Sequence, residues 1–365
     1  MTLEELRRQL DALDQQLLSI IAERQALGTE IARAKRDAGL PTRDFRRERE
    51  VLVRARDNAQ QLGLPPALGE AIMQLLIRSS LTAQEREQVV AQGQGTGRTA
   101  LVIGGAGKMG LWFSRFLTAQ GYTVTVADPK QAIDGFDYLP DWRSDALQQD
   151  LIVVATPIKT SNDVLLELAK RRPRGVVFDL GSLKTPLRAG LTALCSAGVA
   201  VTSVHPMFGP DTDLLSGRHV IFIDLGDAQS LQLAQSLFVS TMAEQVVMSL
   251  DEHDRLIAYV LGLSHALNIS FFTALANSGE HAQRLASLSS TTYDAQIDIA
   301  TKVSKESPEL YFEIQQLNEY GQSSLKALRT AVDQVLECIS KNDLQGFRSL
   351  MVQGRDYLAG RTKDQ

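Results

Sequence analysis

The stretch Leu101-Val102-Ile103-Gly104-Gly105-Ala106-Gly107-Lys108-Met109-Gly110 constrains the fold of this chain more than any other. Three apolar residues predict a buried strand, the glycines a turn too tight for side chains, and Leu111 to Ala119 the helix that follows. Gly105, Gly107 and Gly110 fit G-x-G-x-x-G. In a dinucleotide-binding unit the first glycine makes the turn, the second admits a pyrophosphate to the backbone, and the third lets helix and strand pack closely. Lys108 and Met109 lie within this loop as further cofactor-binding candidates, and the start of the helix supplies unpaired N–H groups and a positive dipole end for the phosphates. Glycine turns of this kind are common in α/β proteins, so the surroundings decide. Gly121 ends the helix, Tyr122 to Ala127 alternates like a second strand, and Asp128 follows Gly110 by 18 residues. That carboxylate suits the two hydroxyls of an adenosine ribose and repels a 2′-phosphate, which selects NAD over NADP.

A chain of 365 residues is too long for one core and predicts two or three domains. Its net charge of −5 lies beyond residue 90: residues 1–90 hold 14 Lys/Arg against 14 Asp/Glu, and the remainder 24 against 29. Neither part is built for nucleic acid or an acidic membrane. Cys195 and Cys338 stand far apart without metal-ligand spacing, so a reducing cytosol, no metal site and two small core residues are expected. Charges recur from Glu4 onward, and no signal peptide is expected to open the chain. Leu256 to Gly279 lacks Asp, Glu, Lys and Arg over 24 residues. Its Ser264, His265, Asn268, Ser270, Thr273 and Asn277 point to a buried helix in a helical domain rather than a membrane span.

Leu3, Leu6, Leu10, Leu13, Leu17, Ile20, Leu27 and Ile31 follow helical steps of three and four, with Arg24 taking one place in the stripe. A helix from Leu3 to Ala38 would extend about 54 Å, more than a ninety-residue domain is wide, so it needs a partner helix from a second chain. An unpaired guanidinium in an apolar seam is costly, whereas a site for an anionic ligand wants one. Lys35 lies three turns on along the same face, and Arg7 lies a quarter turn off it. A second helix carries Arg43, Asp44 and Glu48, and a third runs from Ala67 to Glu87 with Ser80 and Gln84 one turn apart.

Through Arg7, Asp14, Arg24, Lys35, Arg43, Asp44, Glu48, Ser80 and Gln84, in order and spacing, the first 88 residues resemble the all-helical chorismate mutases. The resemblance implies a three-helix chain in an interlocked dimer, with Arg7 reaching the partner's site. A Claisen rearrangement of a dianion needs no nucleophile or base, only a held conformation and stabilisation of charge on the ether oxygen. By resemblance Arg7, Arg24 and Arg43 hold the two carboxylates, Lys35 and Gln84 donate to the ether oxygen, and Glu48 takes the ring hydroxyl. Asp44 and Ser80 would be supporting contacts. Arg46, Arg47 and Arg49 are read as a solvated face.

Ala91 to Gly97 carries three glycines and nothing to bury, the composition of a flexible linker between domains that move independently. Beyond the glycine loop, Leu151 to Ala155, Val176 to Asp179 and Val199 to Val204 predict further strands of a parallel sheet buried on both faces. Ligands of such sheets sit past the carboxyl ends of the strands. Thr156-Pro157, Ser182 with Lys184, and His205-Pro206-Met207-Phe208-Gly209-Pro210-Asp211 all stand there. An imidazole at such a place accepts a hydroxyl proton at neutral pH while a nicotinamide takes hydride, and Ser182 could bond the same hydroxyl.

At the glycine loop and at His205 to Asp211 the chain resembles the prephenate dehydrogenase family, from residue 99 to its end. Taken together the two matches resemble the bifunctional chorismate mutase/prephenate dehydrogenases of bacterial tyrosine synthesis. The resemblance implies oxidative decarboxylation of prephenate to 4-hydroxyphenylpyruvate, with His205 polarising the ring hydroxyl. The first product is the second substrate. By the same resemblance His253 and His265 stand near cofactor and substrate. The family's prephenate-binding arginine is replaced by Lys302, six residues before Pro308, with Asp294 nearby. Lysine keeps the charge and loses the two-pronged grip, which opens arogenate or 4-amino-4-deoxyprephenate as alternative substrates.

The expected organisation is an all-α mutase domain (1–90), a linker (91–98), an α/β Rossmann-type NAD-binding domain (99–250) and an all-α substrate and dimerisation domain (251–365). A cytoplasmic homodimer acting on chorismate and prephenate is the main expectation. An alternative of another class is an NAD-binding regulator whose first helices only dimerise.

Overall fold

In the computed structural model, which describes residues 1–360, the chain forms two compact units. The first comprises residues 1–156, 163–181 and 190–248, and the second residues 157–162, 182–189 and 249 onward.

The first unit opens with helix α1 (Leu3–Asp37). A reciprocal cap starts it: Glu5 N–H donates to Thr2 Oγ1 at 3.2 Å and Thr2 N–H to Glu5 Oε2 at 2.7 Å. Its apolar stripe is unpartnered within the chain, and Leu3, Leu10, Leu13, Leu17 and Ile20 are each more than half exposed. Helix α2 (Phe45–Gln61) starts later than expected, with Asp44 as its N-cap and Arg43 just outside it. Helix α3 (Pro66–Ala91) packs on both, and it outruns the expected end at Glu87.

The extra turns matter because Val89 enters the core of the sheet region. Residues 91–98 do not behave as a flexible linker. Gly95 is buried and its N–H donates to Gln120 O at 2.9 Å. A Cβ on Gly93 would lie 2.4 Å from Gln120 O, and one on Gly95 2.2 Å from Tyr122 Cδ2. These glycines permit close approach, and the helices are fastened to the sheet region.

Strands β1 (Thr99–Ile103), β2 (Thr123–Ala127), β3 (Asp137–Leu139), β4 (Leu151–Val154) and β5 (Val176–Asp179) form a parallel sheet in the order β3-β2-β1-β4-β5. Helices α4 (Lys108–Ala119), α5 (Ile158–Arg171) and α6 (Arg188–Ser196) make the crossovers. Strand β6 (Ser203–Pro206) begins later than Val199; only a single parallel bridge, Val177 to Val201, precedes it. It pairs antiparallel with β7 (His219–Ile223), which runs parallel to β8 (Glu244–Met248), with α7 (Ala228–Ser236) between them. These three strands form a second, mixed sheet in the order β6-β7-β8, so the strand expected from Val199 does not extend the parallel sheet. The core of the sheet region centres on Phe113, Phe178, Phe222 and Phe238, almost fully buried, each contributing about 1.5–3 kcal/mol of transfer free energy. Phe113 meets Phe178 edge-on at 5.6 Å and Phe238 at 6.2 Å.

The second unit is helical: α8 (Leu250–Ile257), α9 (Ser264–Asn277), α10 (Ala282–Ser287), α11 (Thr291–Ser304), α12 (Pro308–Leu317), α13 (Gly321–Ser340) and α14 (Leu344–Ala359). A π-helical turn, Ala258–Leu263, joins α8 to α9, so the apolar run is not one regular helix. Gly262 O accepts from Gln315 Nε2 at 2.7 Å there. Leu250–Asn277 is long and apolar enough to cross a membrane by length and composition, yet only 22% of that window is buried. Val332, Leu336 and Ile339 on α13 and Met351 and Leu358 on α14 are also more than half exposed. Cys195 is exposed and Cys338 partly so, which corrects the expectation of two core residues.

Candidate active sites

Arg24 meets Ser80 where α1 packs on α3, and further along the same pair of helices Lys35 and Gln84 line one cavity. Arg24 Nη1 donates to Ser80 Oγ at 3.1 Å and to Leu76 O at 3.3 Å, which explains a guanidinium inside an apolar stripe. Burial pushes Arg24 below its ordinary pKa, though a guanidinium stays charged at any physiological pH. The Ser80 hydroxyl donates to Gln25 Oε1 at 2.8 Å. Gln84 Nε2 donates to Gly28 O at 3.2 Å, and its Oε1 is buried without a partner. Lys35 Nζ donates to Thr42 O at 2.9 Å. Lys35 and Gln84, with Thr42, Gln88 and Gln92, line a cavity of 160 Å³. Gln88 is one turn beyond Gln84 on α3, and its place was readable from that spacing.

Arg43 is committed elsewhere. It grips Glu48 with two bonds of 2.9 and 3.0 Å, donates to Ser216 Oγ at 2.6 Å, and lies 4.2 Å above the Phe45 ring. Asp44 accepts from Arg47 N–H at 2.9 Å, and that bond holds its carboxyl below the usual range. Its structural part is to cap α2. Arg7 lies on the exposed half of α1, apart from Arg24 and Lys35.

The glycine loop has the shape its sequence predicts. Gly104 has φ +83°, and a Cβ there would lie 2.7 Å from Ala155 O, beside Thr156. A Cβ on Gly110 would lie 2.3 Å from Gly104 O, so the start of α4 rests directly on the turn. Gly107 is the N-cap of α4, followed by Lys108 and Met109. A Cβ on Gly105 would meet Val126 Cγ1 at 2.6 Å. Asp128 follows β2, with its carboxylate accepting from Ala106 N–H at 3.2 Å and Lys130 N–H at 2.9 Å. A cradle that excludes side chains, a helix start and a carboxylate after the second strand fit a dinucleotide. Pro157 follows β4 and immediately precedes α5.

His205 is inside β6 rather than after it, opposite Ile221 of β7, and 4% exposed. The loop 207–218 leaves from Pro206 and returns to β7 at the same sheet end. A larger cavity of 890 Å³ is lined by Glu85, Val89, Lys108, Trp112, Leu215 and Thr241, among others, away from both the mutase cations and Asp128.

In the second unit, Ser182 is half-buried and the Lys184 side chain is fully buried. Asp254 accepts from Lys184 N–H at 2.9 Å, Thr185 N–H at 2.7 Å and His253 Nδ1 at 2.6 Å. Burial opposes its charge, but the bonds from His253 and Thr185 outweigh that and hold the carboxyl below its ordinary pKa. His265 stacks on Tyr311 with centroids 4.0 Å apart. Among the described residues its buried Nδ1 has no hydrogen-bond partner, and burial lowers the pKa of the ring. Lys302 is exposed in the last turn of α11, and Asp294, in the first turn, accepts from the Ser289 hydroxyl. Among the described residues no group of three His, Cys, Asp or Glu is placed to hold a metal ion.

Family models divide the chain as its sequence does. Chorismate mutase type II matches residues 6–85, the nucleotide-binding domain of prephenate dehydrogenase matches 126–247, and its dimerization domain matches 249–353. The T-protein of Enterobacter agglomerans is 28% identical over 346 residues, covering 94% of this chain and 89% of that one. A chorismate mutase of Methanocaldococcus jannaschii is 31% identical over 84 residues, covering 23% of this chain and 85% of its own length. Prephenate dehydrogenase from A. aeolicus, crystallised with hydroxyphenyl propionate and NAD+, shares the fold with a TM-score of 0.57 at 18% identity, covering 73% of this chain and 98% of that one. A regulator with merely dimerising helices does not account for a mutase model over the first part and dehydrogenase models over the rest. The chain belongs to the bifunctional family that joins a type II chorismate mutase to a prephenate dehydrogenase.

Proposed function

We propose that the chain rearranges chorismate to prephenate and then, with NAD, oxidatively decarboxylates prephenate to 4-hydroxyphenylpyruvate, as a cytoplasmic homodimer. The observation that carries the reading is one chain holding both the Arg24, Lys35 and Gln84 cluster and a glycine cradle completed by Asp128.

In the first step Arg24 and Arg43 hold the carboxylates of a compact dianion, and Arg7 of a second copy completes the set. Arg43 would exchange one of its present contacts for substrate. Lys35 and Gln84 donate to the ether oxygen as negative charge grows there, and Glu48 accepts from the ring hydroxyl. No proton moves in the net reaction, so preorganised charge is sufficient. The unpartnered apolar stripe of α1 and the exposed apolar residues of α13 and α14 support the dimer.

In the second step Gly105, Gly107 and the start of α4 at Lys108, Met109 and Gly110 hold the pyrophosphate. Asp128 would take the ribose hydroxyls, and Thr156 and Pro157, at the carboxyl end of β4, would help to hold the cofactor. When bound, NAD would supply the hydride acceptor. A ring nitrogen of His205 accepts the substrate hydroxyl proton as hydride leaves the same carbon; loss of carbon dioxide then sends its electron pair through the ring to that oxygen, which takes the proton back to give the aromatic phenol. Ser182 is assigned to the same hydroxyl by its place past the carboxyl end of β5, and His265 and Lys302 are assigned to substrate on the family resemblance.

Incubating the chain with chorismate and NAD+ should yield NADH and 4-hydroxyphenylpyruvate. His205→Asn should accumulate prephenate, with hydride transfer cut by roughly 10² to 10⁴ and NAD binding retained. Wild-type chain that forms prephenate but no NADH would reject the second step, and lost NAD binding in the variant would reassign His205 to the cofactor.

A further inference from the structure

We infer that Glu85, a residue of the mutase helix α3, is a positioning residue for the dehydrogenase, holding in place the loop 207–218 that leaves His205. The inference rests on the dehydrogenase reading of His205.

Glu85 is 4% exposed, and its two carboxylate oxygens reach two segments of the sheet region. Oε2 accepts from Leu215 N–H at 2.7 Å, and Oε1 accepts from Met242 N–H at 2.5 Å. Leu215 belongs to the loop that enters β7, and Met242 lies just ahead of β8. Because β6 runs antiparallel to β7, the His205-Pro206 end of β6 lies at this same end of the sheet: His205 faces Ile221, Pro206 faces Val220, and Met207 N–H donates to His219 O at 2.9 Å. The carboxylate therefore closes both entrances to the strands beside His205.

The choice of residue type is informative. Burial of a carboxylate is unfavourable, and desolvation pushes the Glu85 pKa up. An apolar side chain would fill the space more favourably, but it would leave two inward N–H groups unsatisfied. Only a group with two acceptors answers both donors.

Other mutase residues hold the same loop. Arg43 donates to Ser216 Oγ at 2.6 Å, and Arg86 pairs with Asp213 at 2.7 Å. From within the sheet region the loop has Trp112 Nε1 donating to Thr212 O at 3.1 Å. The mutase helices thus form part of the scaffold on which the His205 loop is ordered.

Glu85→Gln tests this with little change in volume. An amide offers one acceptor and one NH₂, so one of the two N–H groups must face a donor. In the full chain, kcat/KM for added prephenate should fall roughly 10- to 100-fold, because small displacements near a reacting centre are that costly. The mutase rate should stay within about twofold, since the chemistry of α1 and α3 keeps its contacts. Amide hydrogen exchange should quicken in residues 207–218 and around Met242 and remain unchanged along α1. Ser216→Ala, which removes a milder tether, should give a smaller loss of the same kind. Equal loss of both activities together with faster exchange throughout would mean general destabilisation and overturn the inference. Unchanged dehydrogenase activity with unchanged loop exchange would overturn it as well. Wild-type chain inactive on prephenate would fail the functional reading instead, while loop exchange in Glu85→Gln still reports whether Glu85 orders the loop.

Discussion

Gln84 and Glu85 are adjacent on α3 and serve different parts of the molecule. The Gln84 amide donates to Gly28 O at 3.2 Å among the mutase helices, whereas the Glu85 carboxylate accepts from Leu215 and Met242 of the sheet region. Successive helical residues point about 100° apart, so a helix lying between two layers can give consecutive side chains to each. Because α3 is shared, a change on its mutase face need not reach the dehydrogenase, provided the helix stays seated.

Arg24→Ala makes that separation measurable. Arg24 donates only to Leu76 O and Ser80 Oγ, both within the mutase helices. Loss of the guanidinium should remove most chorismate turnover, at least about 10³-fold as for other charge-stabilising donors, and destabilise the chain by about 1 kcal/mol. Oxidation of added prephenate should persist. Chorismate disappearance and NADH formation, assayed separately, decide it; parallel loss of both would mean one shared site.

Asp128→Ala should relax the preference for NAD over NADP and raise KM for NAD. The carboxylate both meets the ribose and orders the loop through Ala106 and Lys130 N–H groups. Asp128→Asn separates these parts, since its amide oxygen still accepts from the backbone while the charge that repels a 2′-phosphate is gone. Initial rates with the two cofactors give the ratio. An unchanged ratio in both variants would remove Asp128 from cofactor choice.

Asp254 sets an acid limit on the second unit. Its folded-state pKa lies below the ordinary aspartate value of 3.8, so its contribution to stability is fully present above that value and is lost as pH falls through the depressed folded value. The Tm difference between wild type and Asp254→Asn should hold steady above about pH 5 and shrink below about pH 4. A difference that stayed constant down to pH 2 would assign the effect of Asn to packing rather than charge.

Much of this was legible in the chain itself, for physical reasons that also mark the limits. Strands β1, β4 and β5 read as short apolar runs because both faces of the sheet are covered, β2 read by its alternation, and the cations of α1 read by helical spacing. Strand β7 was hidden because it pairs antiparallel with β6, breaking the strand-helix alternation that organised the reading. Gly93 and Gly95 looked like flexibility because composition cannot reveal that Gln120 and Tyr122 press against them. Glu85 was invisible for a similar reason: a glutamate on a helix is usually solvated, and only the fold brings Leu215 and Met242 to it. Arg43 was expected to face substrate alone, and its bond to Ser216 depends on a loop 173 residues away.

Lys302 carries the last prediction, on substrate choice. The family position holds an arginine whose planar fork grips a carboxylate with two bonds, and an exposed lysine at the end of α11 offers a single point charge. If Lys302 meets substrate as proposed, Lys302→Arg should lower KM for prephenate several-fold, about 1 kcal/mol of added grip, with kcat little changed because a contact made equally in ground and transition states lowers KM alone. Arogenate and 4-amino-4-deoxyprephenate carry an amino group that Asp294 would welcome, so Asp294→Asn should weaken those two and spare prephenate. Steady-state rates for all three substrates with wild type and the two variants separate the cases. Prephenate turned over best by wild type, with KM improved by Lys302→Arg, supports the main reading. A wild type that favours an amino-bearing substrate, and loses that preference in Asp294→Asn, would reassign the second step to that substrate; arogenate, which keeps the ring hydroxyl, would leave the chemistry at His205 unchanged, whereas 4-amino-4-deoxyprephenate would present a ring amino group there.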